Sequence, residues 1–144
     1  MRIEINNQSG RAVPRDFLED WCRRMSRELK LRKKGLVIAF LNEKEMRALN
    51  KKFRGKNYAT DVLSFESADP AVYGELVICP QVISRQAKEH GLLVREELGY
   101  MVLHGVLHLL GYDHERSERE AKKMFALQDK VFEHLCGSPQ TAKS

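Results

Sequence analysis

The stretch from His104 to His114 reads HGVLHLLGYDH and follows directly on Glu97 to Leu103, ELGYMVL. Leu98, Met101, Val102, Leu103, Val106, Leu107, Leu109 and Leu110 leave hardly any side of a helix polar, which predicts a helix from about Arg95 to Leu110 buried in the centre of the fold. Two imidazoles in that setting, His104 and His108, are costly unless each ring nitrogen finds a partner. Residues four apart differ by about 40° around a helix of 3.6 residues per turn, so both rings project from one face, one turn apart. Gly111 can take the left-handed conformation that stops the helix and swings the chain back, which lets His114 approach the same point from a loop. Three histidines leave one tetrahedral position open for water, the arrangement of a catalytic rather than a structural zinc site. Nitrogen-only ligands favour one Zn2+ over magnesium or calcium, while nickel and manganese stay open. His90 and His134 have no such neighbours and read as ordinary surface or core histidines.

Around this helix the chain alternates strands and helices. Residues 2–6 (RIEIN) alternate as a strand. Pro14 opens a helix to about Leu31 with Gly35 as its stop, and the apolar run Leu36 to Leu41 (LVIAFL) is a buried strand. Asn42 and Glu45 have capping-box spacing for a helix to about Phe53. Strands follow at Val62 to Glu66 and Gly74 to Cys79, with Asp69-Pro70 as the turn of a hairpin. Pro80 begins a helix closed by Gly91, and Ser117 with Glu120 caps the last helix, to about Leu135. The order β α β α β β α α α predicts an α+β fold, a small mixed four-stranded sheet packed with about five helices. Residues 1–136 are expected to form a single domain and residues 137–144 (GSPQTAKS) a flexible C-terminal tail.

The 144 residues suit one domain, and 42% hydrophobic with 31% charged residues is a globular composition that excludes general disorder. No secretory signal or membrane-spanning run is evident, so no membrane association and a cytoplasmic location are expected. Cys22, Cys79 and Cys136 are far apart and odd in number, and read as reduced thiols that mostly pack. The net charge is +5, and the surplus is amino-terminal: residues 1–72 hold 16 Lys and Arg against 10 Asp and Glu, residues 73–144 hold 9 against 10. Two runs dominate, Arg23 to Lys34 and Arg47 to Lys56, the second without a single acid. A basic stripe suits a polyanion such as nucleic acid, although the first run alone reads as a solvated helix face.

The spacing H-x3-H-x2-G-x2-H is also that of the metzincin proteases, in which the residue after the first histidine is the glutamate base. Here that residue is Gly105, so a metallopeptidase would need another acid, and only Asp113 and Glu115 are near. HGVLHLLGYDH together with the upstream FRGKNYATDVLSF (53–65) and GELVIC (74–79) resembles the YbeY family of bacterial endoribonucleases over nearly the whole chain. The resemblance implies a zincin-like metal helix and a zinc-dependent, single-strand-specific endoribonuclease acting in 16S rRNA 3′ end maturation and ribosome quality control. Its partners would be single-stranded RNA, ribosomal RNA, ribosomal particles, and ribosomal or assembly proteins. It implies His104, His108 and His114 as zinc ligands, and Arg54, in the FRGK segment, as a functional arginine. The chain departs from the commoner pattern at Glu66, where proline is frequent, and at Tyr58-Ala59, where a pair such as Lys-Pro often precedes the threonine.

Phosphodiester cleavage builds negative charge on phosphate oxygens, which a guanidinium binds through two parallel hydrogen bonds, so Arg54 is the natural electrostatic partner; it and the metal ligand His114 are the expected catalytic residues. Lys51, Lys52 and Lys56 are expected to position the RNA backbone. Asp113 either orients a ligand imidazole, serves as base, or simply bonds its own turn. The rival reading is a non-catalytic RNA-binding ribosome-assembly factor with a structural zinc.

Overall fold

The computed structural model describes residues 1–136; the expected tail at 137–144 lies outside the described residues. Nine elements follow in the expected order: β1 (Arg2–Asn7), α1 (Arg15–Glu28), β2 (Gly35–Phe40), α2 (Glu43–Arg54), β3 (Val62–Glu66), β4 (Val72–Ile78), α3 (Pro80–His90), α4 (Val94–Leu109) and α5 (Glu118–Cys136). The sheet order is β1-β2-β4-β3, with β1, β2 and β4 parallel and β3 antiparallel to β4 at the edge. The domain is α+β, as the pattern of elements predicts.

Leu36, Ile38 and Phe40 of β2 and Leu76 and Ile78 of β4 face one way, into the main core. Leu18, Trp21 and Met25 of α1, Val102, Leu103, Val106 and Leu107 of α4, and Met124, Val131 and Leu135 of α5 fill that core from the other side. The opposite sheet face, through Ala39, Leu63 and Val77, meets Met46 and Leu49 of α2 in a smaller cluster. A strand covered on both faces reads as an unbroken apolar run, which is why LVIAF shows no alternation. Helix α4 is apolar all round because it packs on β3 and β4 and also against α1, α3 and α5. At Gly105 it lies directly against the sheet: a Cβ there would lie 2.6 Å from Leu76 Cδ2 and 3.2 Å from Ser64 Oγ.

Several boundaries differ from expectation, most by a single residue, and three of the differences have a clear physical cause. Helix α1 stops at Glu28 rather than Leu31, because Lys30 turns left-handed (φ 53°) and the Leu31 amide reaches back to the Ser26 carbonyl at 2.9 Å. Gly35 is therefore not a helix stop; it is the first residue of β2, in register with Arg2. Strand β4 starts at Val72, two residues early, where an irregularity opposite Gly35 and Leu36 absorbs the extra residue before Gly74. The Asn42 cap holds as expected, its Oδ1 accepting from the Glu45 amide at 2.8 Å. Ser117 Oγ accepts from the Glu120 amide at 3.1 Å, but the Glu120 carboxylate pairs with Arg116 and does not close a full capping box. Cys22 and Cys79 are buried packing residues; burial pushes the Cys22 thiol up to about 12. No helix among the described residues is long and apolar enough to cross a membrane.

Candidate metal centre

His104 and His108 stand one turn apart on the last two turns of α4. The helix closes at Leu110, and Gly111, at φ 104°, carries the chain out while its amide bonds the His108 carbonyl at 3.0 Å and the Tyr112 amide bonds that of Leu107 at 3.1 Å. A side chain at residue 111 would strain this turn. The reversal brings His114 back over the helix end. The three ring centroids form a nearly equilateral triangle, 4.9 Å (104 to 108), 5.0 Å (108 to 114) and 5.1 Å (104 to 114) on a side.

One ring nitrogen from each histidine lies within 4.8 Å of the other two, and His108 Nε2 is 3.1 Å from His114 Nδ1. That separation is close to the roughly 3.3 Å between two nitrogens that share a tetrahedral zinc at about 2.0 to 2.1 Å. All three rings are half-buried. Burial, as the first cause, lowers the basicity of His104 and His108, and for both the neighbouring imidazoles act in the same direction. Rings held neutral keep the lone pairs that a cation needs. The three side chains therefore fit a metal ion, and the donor set suits zinc.

The centre lies in a cleft of about 680 Å³ whose other walls include Phe53, Arg54, Thr60, Asp61, Phe65, Glu115 and Phe125. Arg54 is on that wall, at the end of α2, and its Nη2 donates to Glu115 Oε2 at 3.1 Å. The loop after α2 is tied down: Asn50, fully buried, donates from Nδ2 to the Tyr58 carbonyl at 2.8 Å, and Arg47 donates to Asn57 Oδ1 at 2.9 Å. Lys51, Lys52 and Lys56 are exposed beside it, and Lys52 Nζ sits 5.4 Å from the centre of the Phe53 ring. Phe53 is 55% exposed and Tyr58 52%, so the basic segment carries two exposed aromatic side chains, with Phe53 also packed edge-to-face on Phe65. The first two residues of the other basic run are engaged outside the cleft, with Arg23 and Arg24 paired to Asp20 and Arg24 donating to the Leu135 carbonyl.

Asp113 bonds its own turn, one of the arrangements expected of it. Its Oδ1 accepts from the Glu115 amide at 2.8 Å, a bond that holds its carboxyl below the usual carboxylate range, and it ion-pairs with Arg116. Gly105 explains the missing protease glutamate: a side chain there would be driven into Leu76, which is fully buried, and Ser64, not towards the histidines. His90 and His134 are outside the centre, bonded through Nδ1 to Glu97 at 2.8 Å and Glu28 at 2.7 Å. Sequence reasoning missed three residues near the centre. Gln128 Oε1 lies 2.9 Å from His104 Nδ1. Phe125 packs against His104 and His114, with ring centroids 6.0 and 5.6 Å away. Asp61 lines the cleft while its Oδ1 accepts from the Val62 amide at 2.7 Å.

A family model described as Endoribonuclease YbeY matches residues 3–136. The chain belongs to the YbeY family. Among relatives named endoribonuclease YbeY, one from Bdellovibrio bacteriovorus is 54% identical over 143 residues, covering 94% of this chain and 95% of its own length. A second, from Sulfurihydrogenibium, is 40% identical and covers 93% and 92%. A solution structure of a Thermotoga maritima protein is similar at a TM-score of 0.66 and 31% identity, spanning 96% of this chain and 93% of the other. In this YbeY-family chain the matched region contains all three histidines, Arg54 and the basic loop.

Proposed function

We propose that this chain is a zinc-dependent endoribonuclease that cuts single-stranded RNA, with His104, His108 and His114 as the metal ligands and Arg54 and His114 as residues on which cleavage depends. The observation that carries it is the juxtaposition of an open three-histidine centre with an arginine on the wall of the same cleft. When bound there, a divalent ion supplies Lewis acidity, polarising a phosphoryl oxygen and easing the deprotonation of water.

The remaining work falls to the protein. Arg54 offers its guanidinium to the non-bridging phosphate oxygens, exchanging the Glu115 carboxylate for the substrate's charge. Lys51, Lys52 and Lys56 hold the flanking phosphates and set the position of the strand. Phe53 presents a face on which an unpaired base stacks, a contact closed to a base inside a duplex. Gln128 and Phe125 hold the imidazoles from behind.

Family membership and the basic loop support ribosomal RNA as the natural substrate, with 16S rRNA 3′ end maturation and ribosome quality control in the cytoplasm as the setting. Ribosomal particles and ribosomal or assembly proteins are the partners this reading implies. The test is cleavage of matched single-stranded and duplex RNA by zinc-loaded protein. Single-strand cleavage that disappears in His114→Ala is the expected result. Equal cleavage of both forms would remove the single-strand specificity, and no cleavage of either by metal-loaded wild type would sink the enzyme reading and leave the assembly-factor role.

A further inference from the structure

Helix α5 buries one stripe, Met124, Gln128, Val131 and Leu135, spaced at four, three and four residues. Three of these are apolar. Gln128 is fully buried among them, and its amide nitrogen has no hydrogen-bond partner among the described residues. A buried amide left half-satisfied costs about 1 to 3 kcal/mol, and methionine, similar in length and common in such stripes, would carry no such cost. The stripe alone gives no reason for a glutamine. Its one hydrogen bond does: Oε1 lies 2.9 Å from His104 Nδ1.

We propose that Gln128 is a positioning residue for the metal centre, fixing His104 in the one tautomer and ring orientation that can bind an ion. The proposal rests on the metal reading given above. An amide oxygen only accepts, so Nδ1 must carry the proton; Nε2 is then bare and is the nitrogen left for the ion. Were Nδ1 bare instead, Nε2 would bear the hydrogen and His104 could not ligate through it. The glutamine therefore selects the ligating form before any ion arrives. The arrangement is the amide counterpart of the carboxylate that commonly backs a metal-bound histidine, and loss of such a partner typically weakens metal binding 10- to 100-fold. Neither His108 nor His114 has a comparable backing bond among the described residues, and those two instead face each other at 3.1 Å. Among the described residues only His104 is hydrogen-bonded from outside the triangle.

The test compares wild type, Gln128→Met and Gln128→Glu. Zinc affinity is measured by competition with a chromophoric chelator, and the His104 tautomer in metal-free protein by the 15N shifts of its ring nitrogens. The Met variant keeps the volume, removes the acceptor and relieves the unsatisfied nitrogen. With one unsatisfied amide nitrogen exchanged for a His104 Nδ1 without its acceptor, it is expected to unfold near the wild-type temperature, to lose the Nδ1–H preference at His104, and to bind zinc about 10- to 100-fold more weakly. The Glu variant restores the acceptor and is expected to match or exceed wild-type affinity. Zinc affinity of the Met variant within twofold of wild type, or an unchanged tautomer, would overturn the role of Gln128 alone. Wild-type protein that takes up no zinc would overturn the metal reading together with it. If the Met variant does not fold, the decision rests on the Glu variant and the wild-type tautomer: an Nε2–H ring in wild-type protein rejects the proposal.

Discussion

Replacing Arg54 by alanine should separate chemistry from folding. Its one ion pair among the described residues is with Glu115, at 3.1 Å, and the two side chains are 34% and 59% exposed. A pair that open to water is worth about 0 to 1 kcal/mol, which for a chain of this size shifts the unfolding temperature by at most about 4 °C. The effect on cleavage should be far larger. A donor aimed at charge that develops in the transition state is worth roughly 2.7 to 4 kcal/mol, or about a hundred- to a thousandfold in kcat. Arg54→Lys keeps the charge, loses the two-pronged geometry and should recover only part of the rate. The control is removal of Lys51, Lys52 and Lys56 together, which should raise KM and flatten the salt dependence while leaving kcat close to wild type. The assay is single-turnover cleavage of an end-labelled single-stranded oligonucleotide by zinc-loaded protein, with thermal unfolding and zinc content measured on the same samples. A folded, zinc-loaded Arg54→Ala protein that cleaves within about threefold of wild type would refute the role given to the guanidinium.

Three further outcomes are expected. Phe53→Ala should weaken single-stranded RNA binding by about 1 to 3 kcal/mol and leave duplex binding unchanged, since only unpaired bases can stack there; equal losses for both forms would contradict this. Gly105→Ala gains about 1 kcal/mol of helix propensity, but its Cβ would stand 2.6 Å from the fully buried Leu76. Overpacking of that kind costs about 1 to 3 kcal/mol, so the variant should unfold at lower denaturant; a higher midpoint would show that the close approach carries no weight. The bond to buried Glu97 raises the pKa of His90 above its unfolded value. Its stabilising contribution is therefore complete below the unfolded pKa, near 6.5, and is lost as pH rises through the folded one. The stability difference between wild type and His90→Gln should accordingly shrink from pH 6 to above neutrality, and a difference that grows would reverse the sign.

The three-histidine cluster was legible in the sequence because its determinants are local. A four-residue spacing on a continuously apolar helix and a glycine at its end suffice to bring His114 to His104 and His108. Residues whose role depends on distant partners were not legible. Gln128 is one polar residue among many on α5, and only the phase of Met124, Val131 and Leu135 against the core turns it inward. Glu97 looks like any acid in a first helical turn, yet it is 1% exposed and held by His90 from the preceding helix. The end of α1 was misplaced because it turns at a lysine, and a left-handed lysine has no sequence signature. Arg54 was singled out by resemblance and charge, but its pairing with Glu115, 61 residues away, could come only from the fold.

The central claim is that one ion held by His104, His108 and His114 is needed to cut RNA. It is tested most directly by titrating zinc into chelator-stripped protein and following bound metal and single-strand cleavage in the same samples. Cleavage should rise in proportion to occupancy, reach its plateau at one zinc per chain, and stay absent in His114→Ala at any zinc concentration that leaves the protein folded. Full cleavage by the stripped protein, or a plateau reached with the centre still empty, would contradict the account.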